Sequence, residues 1–118
     1  MNVDNCGALL VAPLICIAGC DPDFQFAGSV TDTSGHPVAG AIVRIDCPSM
    51  YAEVATDATG HFRHGGIGVA KDACPVEVHA AGYAVWNEPV TGHCTRYYRP
   101  RLCQHIDASV VLTPLPPK

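Results

Sequence analysis

From residue 24 onward, apolar and polar side chains alternate with a period of two over seven short stretches. Phe24, Phe26, Gly28 and Val30 share one face, with Gln25, Ser29 and Thr31 on the other. Ala41, Val43 and Ile45 alternate with Ile42, Arg44 and Asp46, and Ala52, Val54 and Thr56 with Glu53 and Asp57. Phe62 lies between His61 and Arg63; Val76, Val78 and Ala80 flank Glu77 and His79; Val85 and Trp86 form a sixth apolar stretch, and Ala108, Val110 and Leu112 a seventh. A period of two belongs to a strand with one buried face, and no segment carries the 3.6-residue period of a capped helix. The breaks have their own chemistry. Asp32-Thr-Ser-Gly35 and Asp57-Ala-Thr-Gly60 place Asp at the first and Gly at the fourth position of a tight turn, where Asp accepts backbone hydrogen bonds and Gly tolerates positive φ. Seven short strands spaced by such turns predict an all-β, seven-stranded β-sandwich over residues 24–113, closed by the Pro-rich tail 114–118.

Ahead of the strands, residues 8–18 form an unbroken apolar run. It is shorter than the ~20 residues of a membrane-spanning helix and matches the apolar region of a secretory signal peptide. Ile17-Ala18-Gly19-Cys20 follows at once and resembles the lipobox of bacterial lipoproteins. That resemblance implies that residues 1–19 are a signal peptide to be removed, that Cys20 is lipidated, and that residues 20–23 tether the domain. The segment before the apolar run contains Asp4 and neither Lys nor Arg, so only the α-amine supplies positive charge there. The expected location is the bacterial cell envelope, lipid-anchored to a membrane. Asp21 resembles an inner-membrane retention signal of some bacteria, and the choice between inner and outer membrane stays open.

The run from Gly28 to Val43, GSVTDTSGHPVAGAIV, resembles the opening motif of the carboxypeptidase regulatory-like domain family. Thr56-Asp-Ala-Thr-Gly-His-Phe62 and Ala81-Gly82-Tyr83 follow in that family's order, so the resemblance covers roughly residues 24–90. It implies a prealbumin-like, Ig-like sandwich that serves as an accessory or interaction module without catalytic residues or cofactor. The Gly-rich stretch 65–68, four cysteines and an insertion at 91–105 depart from the pattern.

Composition narrows the function classes. The net charge of −4 gives no general pull toward nucleic acid, whose binding draws on phosphate neutralisation. Beyond Cys20 the cysteines are Cys47, Cys74, Cys94 and Cys103, with no CxxC, which favours structural disulfides in an oxidising compartment over a redox or zinc site. Four cysteines allow three pairings; Cys94–Cys103 and Cys47–Cys74 are the favoured set. The six histidines lack HExxH or HxxE spacing, so no metal site is expected, and GxSxG is absent.

One segment concentrates chemistry. Between Cys94 and Cys103 stand Arg96, Tyr97, Tyr98, Arg99 and Arg101, holding three of the seven basic side chains of an acidic protein. Tyrosines stack on sugars and Arg forks carboxylates and phosphates. The bland alternative is a cover loop whose arginines keep it soluble. The leading expectation is therefore a non-catalytic, lipid-anchored structural or interaction module, with an envelope protein or glycan as partner. The alternative is a carbohydrate- or polyanion-binding lipoprotein acting through the stapled loop 91–105. Oligomeric state is left open.

Overall fold

The computed structural model describes residues 22–48 and 50–117, so the signal segment and Cys20 lie outside the described residues. Nine strands follow in order: β1 Asp23–Asp32, β2 Ile42–Cys47, β3 Met50–Ala55, β4 His61–Ile67, β5 Ala70–Lys71, β6 Pro75–His79, β7 Trp86–Pro89, β8 Cys94–Arg99 and β9 Leu102–Leu112. Seven of them are the strands predicted from alternation. The other two, β5 and β8, raise the count from the expected seven to nine, and both flank β9. One sheet runs β4-β1-β9-β5 with β8 also paired to β9, and the other runs β3-β2-β6-β7. Among the described residues the one helical element is a 3-10 turn, Val90–Gly92.

The two sheets bury the side chains that the period of two assigned inward. Phe24, Phe26 and Val30 of β1 meet Val43 and Ile45 of β2, Val76 and Val78 of β6, and Ala108, Val110 and Leu112 of β9 in one core. Phe26 and Phe62 pack edge to face with ring centroids 5.1 Å apart. Gly28 is where this layer closes most tightly: a Cβ there would collide with the Ala108 carbonyl oxygen and lie 2.9 Å from the Phe62 ring. The buried Thr56 hydroxyl donates to the Val38 carbonyl (2.6 Å) and accepts from the Ala41 amide (2.9 Å), so no polar atom of that side chain is lost to the core.

Two features of the topology set the surface. First, β1 and β9 pair in parallel, from Gln25↔His105 to Asp32↔Leu112, so both begin at the same end of the sandwich. Second, the chain leaving β4 passes the start of β1, where the Gly68 amide donates to the Pro22 carbonyl (3.1 Å), before β5 pairs with β9. Both favoured disulfides are present: Cys47–Cys74 ties the end of β2 to the residue before β6 (Cα–Cα 5.6 Å), and Cys94–Cys103 ties β8 to β9 (Cα–Cα 5.9 Å).

Candidate functional site

The stapled segment is a β-hairpin rather than a loop. β8 and β9 pair antiparallel with register shifts around Arg96 and Tyr97, and Pro100-Arg101 makes the turn, with Arg101 at φ 67°. Exposure alternates along β8: Thr95, Tyr97 and Arg99 are exposed, while Cys94, Arg96 and Tyr98 are half-buried. The five residues singled out from the sequence are thus split along the strand by exposure and do not converge as one set. Arg99 does meet Tyr98, its guanidinium carbon 5.2 Å from the ring centroid. At the tip, Arg99 and Lys71 both pair with Leu102, which puts two cations in one cross-strand row beside Arg101. Lys71 was not legible as a member of this group because β5 is only two residues long.

A second surface lies on the outer face of the β4-β1-β9 sheet. It is an open trough of about 690 Å³, lined by Gln25, Ala27 and Ser29 of β1, His61 and Arg63 of β4, and Asp107 of β9, with Val54, Ala55 and Asp57 along one side. Small side chains at Ala27 and Ser29 make the floor. Ala27 pairs with Arg63 on one side and Asp107 on the other, so guanidinium and carboxylate stand two strands, about 9.5 Å of backbone, apart. Among the described residues neither Arg63 nor Asp107 has an ion-pair partner. Ser29 pairs directly with His61 in the next row.

The β3–β4 turn fixes the His61 ring. Asp57 Oδ1 accepts from the backbone amides of Thr59 (2.9 Å) and His61 (3.0 Å) and from the Thr59 hydroxyl (2.7 Å). These bonds, led by the Thr59 hydroxyl, hold the Asp57 carboxyl below the ordinary carboxylate range. Thr59 Oγ1 also lies 2.9 Å from His61 Nδ1. A hydroxyl has one proton, and this one is given to Asp57, so Nδ1–H donates to Thr59. When the ring is uncharged, Nε2 on its far side from the turn is left as an acceptor.

The other histidines do not gather. His79 Nε2 lies 3.0 Å from Glu77 Oε1, His93 Nε2 lies 2.7 Å from Glu88 Oε1, and His105 Nε2 is 3.7 Å from Asp23 Oδ2. Among the described residues no three His, Cys, Asp or Glu side chains stand close enough together to hold a metal ion.

No protein-family model matches the chain, and no curated protein matches it. Among solved structures it is similar to chlorocatechol 1,2-dioxygenase from Pseudomonas putida, at 13% identity and TM-score 0.55, covering 79% of this chain and 61% of that one. It is similar too to 3-chlorocatechol 1,2-dioxygenase from Rhodococcus opacus 1CP, at 12% identity and TM-score 0.57 over 80% and 61% of the two chains. Catechol 1,2-dioxygenase from Acinetobacter sp. ADP1 gives 12% and 0.57, over 85% and 55%. The chain spans less than two thirds of the length of each. At this identity the likeness is one of fold, the β-sandwich, and nothing in it shows this chain to be catalytic.

Proposed function

We propose that the chain is a non-catalytic, lipid-anchored β-sandwich module of the bacterial cell envelope, related to the carboxypeptidase regulatory-like domains. The observation that carries this reading is the coincidence of the Ile17-Ala18-Gly19-Cys20 motif with a sandwich whose first strand starts at Asp23. A processed N-terminus at Cys20 removes none of the described residues and leaves a short tether ahead of β1. Two disulfides in so small a domain suit the oxidising side of a membrane. Mass spectrometry of the mature protein is expected to show an acylated N-terminal Cys20, and Cys20→Ser is expected to move the protein from the membrane fraction to the soluble one. An unmodified N-terminus elsewhere overturns the reading.

A second reading, polyanion binding through the hairpin, is favoured by the row Arg99–Leu102–Lys71 beside Arg101. Replacing Arg96, Arg99 and Arg101 together with Ser is expected to weaken binding to anionic envelope material and flatten its salt dependence. Unchanged binding leaves the hairpin as a cover.

A further inference from the structure

We propose that the trough on the outer face of the β4-β1-β9 sheet binds an acidic glycan, a chain carrying one carboxylate per sugar, with Arg63 taking the carboxylate and Asp107 and His61 taking hydroxyls. The site is independent of the anchor at Cys20 and of the hairpin.

The floor is the first requirement. Along the outer face of β1, short Ala27 lies between Arg63 of β4 and Asp107 of β9, and short Ser29 between His61 of β4 and Ser109 of β9, so a ligand can lie against the sheet between two polar walls. Those walls carry unused charge. Arg63 and Asp107 flank Ala27 in one row without ion-pair partners among the described residues. A guanidinium offers five N–H donors in a fork that fits a carboxylate, and a carboxylate accepts from hydroxyl groups. His61 adds an acceptor whose direction is fixed, because Nδ1–H is held by Thr59 and Thr59 by Asp57. Val54 and Ala55 line part of the trough with apolar surface against which a sugar ring can rest.

Charge balance selects among anions. One guanidinium faces two carboxylates in this trough, Asp57 and Asp107, so repulsion grows with the charge density of the ligand and weighs more on a phosphate polymer than on a chain with one carboxylate per sugar. A polyuronate brings a single charge per sugar for Arg63 and several hydroxyls for the two carboxylates and for His61 Nε2. The trough is open rather than enclosed, which suits a segment of a longer chain.

The test is calorimetric titration of the purified protein with galacturonate oligomers of three to five sugars, against maltotriose and against a free amino acid as controls. Binding is expected for the galacturonate oligomers alone. Arg63→Gln is expected to weaken it at least tenfold with an unchanged melting temperature, and Ala27→Leu, which fills the floor, is expected to abolish it. Arg99→Ser with Arg101→Ser leaves it intact if the trough is the site. Absence of galacturonate binding, equal binding of maltotriose, preference for the amino acid, or an Arg63→Gln protein that binds like the parent each overturns the proposal.

Discussion

At the scale of single residues, the same five-residue device is used twice, as Asp32-Thr-Ser-Gly-His36 and Asp57-Ala-Thr-Gly-His61. In both, Asp Oδ1 accepts from the amides two and four residues on, and the Gly amide closes the turn on the Asp carbonyl at 3.0 Å. Their glycines differ in surroundings. Gly35 sits at φ 84° with nothing near a built Cβ, whereas Gly60, at φ 80°, would bring a Cβ to 2.6 Å from the Val30 carbonyl oxygen. Gly35→Ala is therefore expected to cost only the left-handed backbone penalty, about 1 kcal/mol. Gly60→Ala adds a backbone collision and is expected to cost about 3 kcal/mol in denaturant unfolding. Equal losses would show that the Gly60 turn can shift away from β1. The two Asp carboxyls also contribute to the acid limb of stability. Both are held below their ordinary value of 3.8, Asp32 chiefly by the His36 amide and Asp57 chiefly by the Thr59 hydroxyl. The unfolded chain then binds protons more readily than the folded one, so the stabilisation is complete above that value and is lost as pH falls through the folded one. Asp57→Asn is expected to lower stability between pH 6 and 8, where the carboxylate's contribution is complete, and so to flatten the fall below about pH 4, as read from urea midpoints across pH.

At the scale of elements, legibility followed the regularity of the pleat. β1, β2, β6 and β9 bury alternate residues without interruption over most of their length, and their inward positions were readable from the sequence. β8 was not. Its register shifts at Arg96 and Tyr97 break the period of two, and its partner residues lie in β9 beyond a Pro-containing turn, so 91–105 looked like a loop. The trough was equally hidden, because Arg63 and Asp107 meet across Ala27 only once the registers of two strand pairs are known. The cysteines were easier, since a separation of 9 residues brackets a hairpin however it pairs. In the chain-entropy picture the 27-residue separation of Cys47–Cys74 contributes about 3.5 kcal/mol and the short bridge about 2.5 kcal/mol. Cys47→Ser with Cys74→Ser is thus expected to lower global stability more than Cys94→Ser with Cys103→Ser. Hydrogen exchange is expected to show the second pair loosening β8 while β1 and the core half of β9 stay protected. Uniform loss of protection across both sheets in the Cys94/Cys103 variant would mean that the hairpin is part of the cooperative unit.

At the scale of the whole molecule, the parallel pairing of β1 with β9 gives the sandwich a defined lower end. Gln25 is level with His105, so the start of β1 and the hairpin turn at Pro100-Arg101 lie at the same end, the turn reaching a few residues further along the strand axis. Pro22, the first described residue, is held there by the Gly68 amide. If Cys20 carries the lipid, as proposed, the two Cα–Cα steps from it to Pro22 reach at most about 7 Å, and the end holding Lys71, Arg99 and Arg101 faces the headgroups. Cations within a Debye length of an anionic leaflet gain about 1 kcal/mol each, enough to orient the domain though not to anchor it. The chain has two lysines, Lys71 beside the hairpin tip and Lys118, six residues after Leu112 in the sequence, so one reagent labels both. Amine labelling of the acylated protein on phosphatidylglycerol vesicles is expected to protect Lys71 severalfold relative to the protein in neutral detergent, with Lys118 labelled equally in both. Protection of both lysines, or of neither, would mean that the domain lies on its side or swings free of the surface, and the hairpin would then face the envelope space rather than the membrane.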